Sequence, residues 1–365
     1  MYDRGAVQDQ VLDLKAGEWV EVRSREAILS TLDERGCFEN LPFMPEMLQY
    51  CGKRFRVSKR ADKTCENILG WSIRRMEKSV HLEGLRCDGE GHGGCQAGCL
   101  IFWKEVWLKR VEGNVVSSET LLAGSSLFQG SREGCSVASI LVATSRTDPE
   151  GQRIYSCQAT DLIKYTSYMA EWDPRQYVRD LRSGNLSTGL GKDSIAHRSL
   201  EQVLGVMEIV RTLTISLFNR VQQRRLHWKP QYPFVEGSAE KTPAGVLDLR
   251  PGELVEVRSK EEIMATLDKQ NRNRGLLFDG EMLRYCGHIY RVFRRVHRII
   301  DEKTGKMLDM KYPCIILEGV ACRSDYHRLC PRAIYHYWRE NWLKRAVAVA
   351  EPPTAKEIAE TCEKC

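Results

Sequence analysis

The sequence predicts an α+β chain in which two homologous small, mainly β modules flank a mainly helical central domain. Residues 11–110 overlay residues 246–345 without a gap, and 40 of the 100 positions are identical at a shift of 235. Each copy opens on alternating residues, as in Glu18-Trp-Val-Glu-Val-Arg23, the period of a half-buried strand. Between the copies the apolar residues recur at helical spacing instead. The expected domains are a first module at 11–111, a central domain at 112–243, a second module at 244–349 and a flexible tail at 350–365.

Taken in order, Val11–Arg23 reads as two short strands around an Ala-Gly turn. Ser24 is placed to cap a helix over Arg25–Asp33, and Ser259-Lys-Glu-Glu262 is a full capping box in the second copy. A helical turn at Pro45–Tyr50 precedes Gly52 and a strand at Lys53–Val57; Glu281–Tyr285, Gly287 and His288–Val292 repeat it. The strands Val80–Leu85 and Ile315–Val320 lead into the cysteine clusters. Cys330-Pro331 has the N-cap and N1 pattern of a helix start, and alignment puts Cys95 at the matching N-cap. The opening strands and the basic strand of each copy resemble SH3-like small barrels.

In the middle, Ser117–Gly134 is small and polar, a loop, and Cys157–Glu171 reads as helical. Asp173-Pro174 starts and Gly184 stops a helix over Pro174–Ser183. His197–Arg225 is the longest helix expected, with Leu200, Val203, Leu204, Met207, Val210, Leu213, Leu217 and Val221 as its buried face. Glu201, Glu208, Arg211 and Arg220 exclude a membrane span there, and no run of 18 apolar residues occurs anywhere. Pro230–Pro243 is a linker.

The chemistry-bearing residues cluster in Cys87-Asp-Gly-Glu-Gly-His92-Gly-Gly-Cys95-Gln-Ala-Gly-Cys99 and in Cys322-Arg-Ser-Asp-Tyr-His327-Arg-Leu-Cys330. Thiolates and imidazoles at such close spacing suit zinc, which takes four N or S ligands in a tetrahedron. In the second copy the set closes as Cys314, Cys322, His327 and Cys330. In the first it is Cys87, His92 and Cys95 with either Cys65 or Cys99. An iron–sulfur cluster on Cys65, Cys87, Cys95 and Cys99 is the alternative, because four thiolates suffice for one; the repeated histidine favours zinc. Buried thiols, or a redox pair at Cys95 and Cys99, are the plainer readings. A catalytic zinc would need an open position and a base such as Asp88 or Glu90, where the second copy has Ser324 and Asp325. Cys51 and Cys286, in matching Tyr-Cys-Gly turns, read as small buried hydrophobes.

Two weaker signals remain. The strands Arg54-Phe-Arg-Val-Ser-Lys59-Arg60 and Arg291-Val-Phe-Arg294-Arg295 interleave cations with aromatics, which suits a phosphate backbone but equally a solvated outer face. Cys135, Cys157, Asp173, Asp180 and His197 include the residue types of a thiol nucleophile and its base, with nothing to fix their geometry. Net charge is +6, a mild basic bias that permits an acidic partner without demanding one. Fourteen cysteines behind an N-terminus without a secretory pattern imply reduced thiols and a cytoplasmic setting.

Leu41-Pro-Phe-Met-Pro-Glu-Met-Leu48 with Tyr50-Cys-Gly52, His81-Leu-Glu-Gly-Leu-Arg-Cys87, His92-Gly-Gly-Cys-Gln-Ala-Gly-Cys99 and Trp172-Asp-Pro-Arg-Gln-Tyr177 carry a resemblance. On them the chain resembles a widespread bacterial protein type with tandem SH3-like, Cys/His-containing modules. The resemblance covers most of residues 11–345, implies a bacterial cytosolic setting, and brings no activity to transfer. The expected function is a non-catalytic, zinc-stabilised binding or adaptor protein with a peptide or partner protein as its ligand. The alternatives are a metal-dependent enzyme or enzyme accessory in small-molecule or peptide biosynthesis, and a nucleic-acid binder using the basic strands.

Overall fold

In the computed structural model of the chain, strand β1 (Trp19–Val22) is the second strand of an antiparallel five-stranded sheet. With β2 (Arg54–Arg60), β3 (Ser79–Leu82), β4 (Trp103–Lys104) and β5 (Leu108–Arg110) the order is β4-β3-β2-β1-β5. Residues 12–69, 72–111, 135–170, 173–186, 195–226 and 232–346 are described. The loop expected at Ser117–Gly134 and the tail with Cys362 and Cys365 lie outside them, as does Trp172.

The alternation in β1 does what it predicts: Val20 and Val22 are fully buried while Trp19 is 48% exposed. Ser24 caps helix α1 (Arg25–Leu29) by accepting the N–H of Ala27 at 3.3 Å. The strand expected before β1 does not form. Asp13 adopts φ +44°, outside strand geometry, and the Glu105 carboxylate accepts the N–H groups of Asp13 and Leu14 at 3.2 and 3.0 Å. Arg60 closes on the same carboxylate at 2.8 Å, so the buried Glu105 is charge-paired as well as hydrogen-bonded. Inside the sheet the Phe43 and Trp107 rings meet edge-on at 5.2 Å. Such a contact adds about 1 kcal/mol to the burial of the two rings.

The described residues divide between two compact units. The first is Met1–Lys229 with His297–Met310 and Ala321–Tyr335; the second is Pro230–Val296, Lys311–Val320 and His336–Cys365. Elements of the second copy recur 235 positions on. They are β6 (Leu254–Val257), β7 (Ile289–Ile300), β8 (Met307–Leu317) and β9 (Leu343–Arg345), in the order β8-β7-β6-β9. The capping box forms, Ser259 with Glu262, ahead of Lys260–Met264. The second unit repeats the core contacts: Phe278 meets Trp342 edge-on at 5.3 Å, and Glu340 accepts the N–H groups of Leu247 and Leu249 while pairing with Arg295.

The middle region mixes helix and strand. A turn of helix at Val137–Ala143 precedes a hairpin, Ser145–Thr147 with Arg153–Tyr155. The helix expected over Cys157–Glu171 shrinks to Leu162–Tyr165. Ser167–Tyr168 is then taken as a strand by Ile73–Arg75, and Arg74 binds the Thr166 carbonyl at 2.7 Å. Helix α2 (Arg175–Arg182) ends as expected at Gly184, φ +73°. Helix α3 (Ile195–Leu226) has the expected extent, but its face is reversed. Val203, Met207, Val210, Leu213, Leu217 and Val221 are 42–62% exposed, whereas Gly205, Ile209 and Thr212 are packed. Gly205 favours this face: a Cβ there would stand 2.9 Å from Leu181 Cδ2 and push that side chain aside. The side chains of Leu200 and His197 are outside the described set.

The helices expected after Cys95 and at Cys330-Pro331 also do not form. Those segments pair across their own knuckles instead: Cys87 N–H donates to the Cys99 carbonyl and Cys322 N–H to that of Ile334, both at 2.8 Å. Gly98 at φ +63° and Ala333 at φ +42° complete the extended paths. Among the described residues no helix is long and apolar enough to cross a membrane.

His81 on β3 is fully buried, its Nδ1 donates to the Ile101 carbonyl at 2.8 Å, and its Nε2 has no hydrogen-bond partner among the described residues. Burial pushes its pKa down from 6.5 to about 4. The unfolded chain therefore binds the proton first, and stability is lost as pH falls from about 6.5 towards 4, by up to about 3 kcal/mol. His81→Gln, which keeps a donor for Ile101, is expected to flatten that acid limb in melting curves recorded across this range.

Candidate metal centre

Three elements converge on one buried point in the first unit. Glu46 lies in the 3-10 turn Pro45–Tyr50, which Pro45 starts with a preset φ. Cys87 follows β3 through the turn at Gly84. His92 closes the short turn Glu90–His92, held between Gly89 (φ +80°) and Gly93 (φ +79°). Two glycines make the approach possible. A Cβ on Gly89 would lie 2.0 Å from the Cys95 carbonyl oxygen, and one on Gly91 would lie 2.7 Å from Glu46 Oε2. The knuckle thus rests directly on the carboxylate because it has no side chains in the way.

The Cys87 thiol donates to Glu46 Oε1 at 3.1 Å and stands 3.5 Å from His92 Nε2, while His92 Nδ1 is 3.6 Å from Glu46 Oε1. One donor atom from each residue falls in a group whose members all lie within 4.8 Å of one another. Tetrahedral zinc with bonds of 2.0–2.3 Å holds its ligands roughly 3.3–3.8 Å apart, so this spacing suits an ion at the centre. Two buried atoms here, Glu46 Oε2 and His92 Nδ1, lack hydrogen-bond partners among the described residues. Leaving such atoms dry costs about 1–3 kcal/mol each, the signature of a site that expects another group.

Electrostatics agree. Burial raises the Glu46 pKa and raises that of Cys87 well beyond the usual thiol range, helped there by the Glu46 charge; burial lowers His92 to about 4. Burial thus works against the charged form of all three groups. A divalent cation would displace the Cys87 proton and supply the charge that burial opposes.

A cavity of about 40 Å³ adjoins the triad, lined by Cys95, Cys99 and Cys157 as well as by Glu46, Cys87 and His92. Burial drives Cys99 up to about 12 and Cys157 up to about 11, so both are thiols. Asp88 and Glu90, the bases considered for catalysis, are exposed.

The other expected ligands are distributed as follows. Cys65 is placed with Cys330: Cys330 Sγ accepts the N–H groups of Cys65 at 3.0 Å and of Arg332 at 3.5 Å. Burial opposes a thiolate at Cys330, but the Cys65 thiol and these two N–H groups outweigh it and bring the pKa to about 6. Cys95 Sγ accepts the Ile300 N–H at 3.3 Å. Cys322 Sγ and His327 Nδ1 are 3.5 Å apart. In the second unit Cys314 accepts from Arg339 at 3.4 Å. Of the central thiol group, Cys157 lines the cavity, Asp180 pairs with Lys63 at 2.5 Å, Asp173 holds Arg175, and Cys135 lies by Gly36.

Sequence reasoning missed Glu46. The signal was there: Glu46 and Glu281 are the same acidic residue in the same Glu-Met-Leu of both copies, in otherwise apolar surroundings. Glu281 is likewise buried, in the second unit. Cys157 gave no such signal, because it lies outside the repeat and reaches the cavity only by folding.

Gly91→Ala tests the geometry without backbone strain. The new methyl pushes on Glu46 Oε2, and bound metal per chain is expected to fall with a loss of about 1–3 kcal/mol in stability. Elemental analysis and melting curves of the two proteins read both effects. Comparison with protein-family models, with curated proteins and with solved structures returned no match.

Proposed function

We propose that this chain is a non-catalytic, zinc-stabilised binding or adaptor protein that recognises a peptide or partner protein through two SH3-like small barrels. The observation that carries the metal is the Glu46–Cys87–His92 group with its two unsatisfied buried atoms. Size argues for a structural ion. A cavity of about 40 Å³ takes a water or two, whereas sites for small-molecule ligands run to roughly 300–1,000 Å³. Cys99 is the fourth ligand of this reading: its carbonyl pairs with Cys87 N–H, and the residue lines the cavity beside the triad. The SH3-like assignment is supported by the antiparallel order β4-β3-β2-β1-β5 and by the 3-10 turn Glu105–Trp107 that joins the last two strands. A groove of about 670 Å³, walled by Cys37, Met44, Ile140 and Val142, gives a partner segment somewhere to lie. A bacterial cytosolic setting fits, since no disulfide joins the described cysteines.

A second reading has an observation of its own. Cys87, Cys95, Cys99 and Cys157 line one cavity, the donor number of an iron–sulfur cluster in an enzyme or enzyme accessory. Nucleic-acid binding gains less support, because the basic strands are matched by carboxylates: Arg54 with Glu21, Arg56 with Glu83, and Arg60 with Glu105.

The test is metal content and spectroscopy on the purified chain. Zinc with no visible absorption supports the first reading; iron with a broad band near ~400 nm replaces it with the second. In the cobalt-substituted protein, thiolate-to-metal absorption is expected to drop by about half in Cys99→Ser and to be unmoved by added azide, as a closed four-ligand site requires.

A further inference from the structure

Helix α3 presents to solvent a stripe that has the spacing of a coiled-coil seam. Val203, Val206, Val210, Leu213 and Leu217 succeed one another at intervals of three, four, three and four, and each is 43–62% exposed. That is the a/d repeat of 3.5 residues by which two helices interlock, with a branched residue at every position. Met207, 61% exposed, and Val221, 42% exposed, widen the stripe on one side. The side of the helix adjoining the seam is spoken for, because Gly205, Ile209 and Thr212 pack within the first unit. The seam therefore cannot turn inward without unpacking α2.

Area decides what kind of partner this is. The apolar side chains between residues 203 and 221 expose on the order of 700 Å² at roughly half exposure, more than the ~300–600 Å² of the largest patch on a typical monomer. It is close to the ~800 Å² that each partner contributes to a stable interface. Charge does not oppose self-association. The register continues beyond Leu217 into Arg220 and Arg224, and two copies running antiparallel hold these cations at opposite ends of the seam. A two-fold axis satisfies a stripe of this kind with itself, since each seam position meets its like or its neighbour.

We infer that the protein is a homodimer joined through the exposed Val203–Leu217 seam of α3. The pairing is independent of the metal centre, and it would give an adaptor four barrels in place of two.

Sedimentation equilibrium of the full chain tests this. The wild type is expected at twice the 41.9 kDa chain mass, and Val210→Glu with Leu213→Glu at the chain mass, its dimer weakened at least ~100-fold by two charges forced into the seam. Both residues are exposed, so far-UV circular dichroism and the melting curve of the variant should match the wild type. If that variant loses helix signal, Leu217→Lys is read instead against the same outcomes. A monomeric wild type would overturn the inference, showing that another segment of the chain covers the seam. So would a folded variant that stays dimeric, which would place the interface elsewhere.

Discussion

Glu46 and His92 are buried against a half-buried Cys87, and that shared desolvation is the constraint on which the first cluster depends. Burial opposes charge on Glu46 and on His92, and Glu46 Oε2 and His92 Nδ1 have no hydrogen-bond partner among the described residues. A folded chain tolerates this only if something returns the lost interactions. Around the triad the backbone is arranged as if for that purpose. Gly91 lets the knuckle approach the Glu46 carboxylate, Gly89 lets it fold onto the Cys95 backbone, and the Cys87–Cys99 backbone bond ties its ends together.

Zinc fits these donors because it accepts sulfur, nitrogen and oxygen without a geometric preference of its own. The same desolvation that makes the empty site costly raises the affinity of the loaded one, since a cation in a dry pocket faces little competition from solvent. The neighbouring thiols Cys95, Cys99 and Cys157 then have two descriptions: hydrophobic lining, or spare donors. The raised pKa values of Cys99 and Cys157 follow chiefly from burial and suit either. Cys330 differs, because it is offered two N–H groups and the Cys65 thiol at once, and there hydrogen bonding overcomes burial.

The 235-residue repeat gives a measure of which features the fold needs. The edge-on Phe–Trp pair, the buried glutamate that accepts two backbone N–H groups, and its arginine are present in both copies. These make the half-buried sheet close on a core. The knuckles are less alike: glycines at 89, 91, 93 and 94 have Ser, Tyr, Arg and Leu as counterparts at 324, 326, 328 and 329. Ser324, Arg328 and Leu329 nonetheless adopt φ of +56 to +63°, so the second knuckle reaches left-handed geometry without the residue that adopts it at no cost.

Local interactions were legible in the sequence. The alternation of β1, the Ser24 and Ser259 caps, the turn at Pro45, the stop at Gly184 and the length of α3 all follow from periodicity and from residues whose own chemistry sets the backbone. So did the proximity of Cys87 to His92 and of Cys322 to His327, since five residues of a tight turn can do little else. What tertiary structure decided was every choice between competing partners. The Cys99 and Ile334 carbonyls that helices after Cys95 and Cys330 would have used were taken by N–H groups across the knuckle, and the segment after Tyr165 was taken by Ile73–Arg75. Glu46 and Cys157 joined the site from distant parts of the chain, and α3 turned its glycine rather than its valines towards α2. Spacing along a chain determines which residues share a face; which face is buried depends on how closely another surface can approach it, and that is a property of the packed molecule.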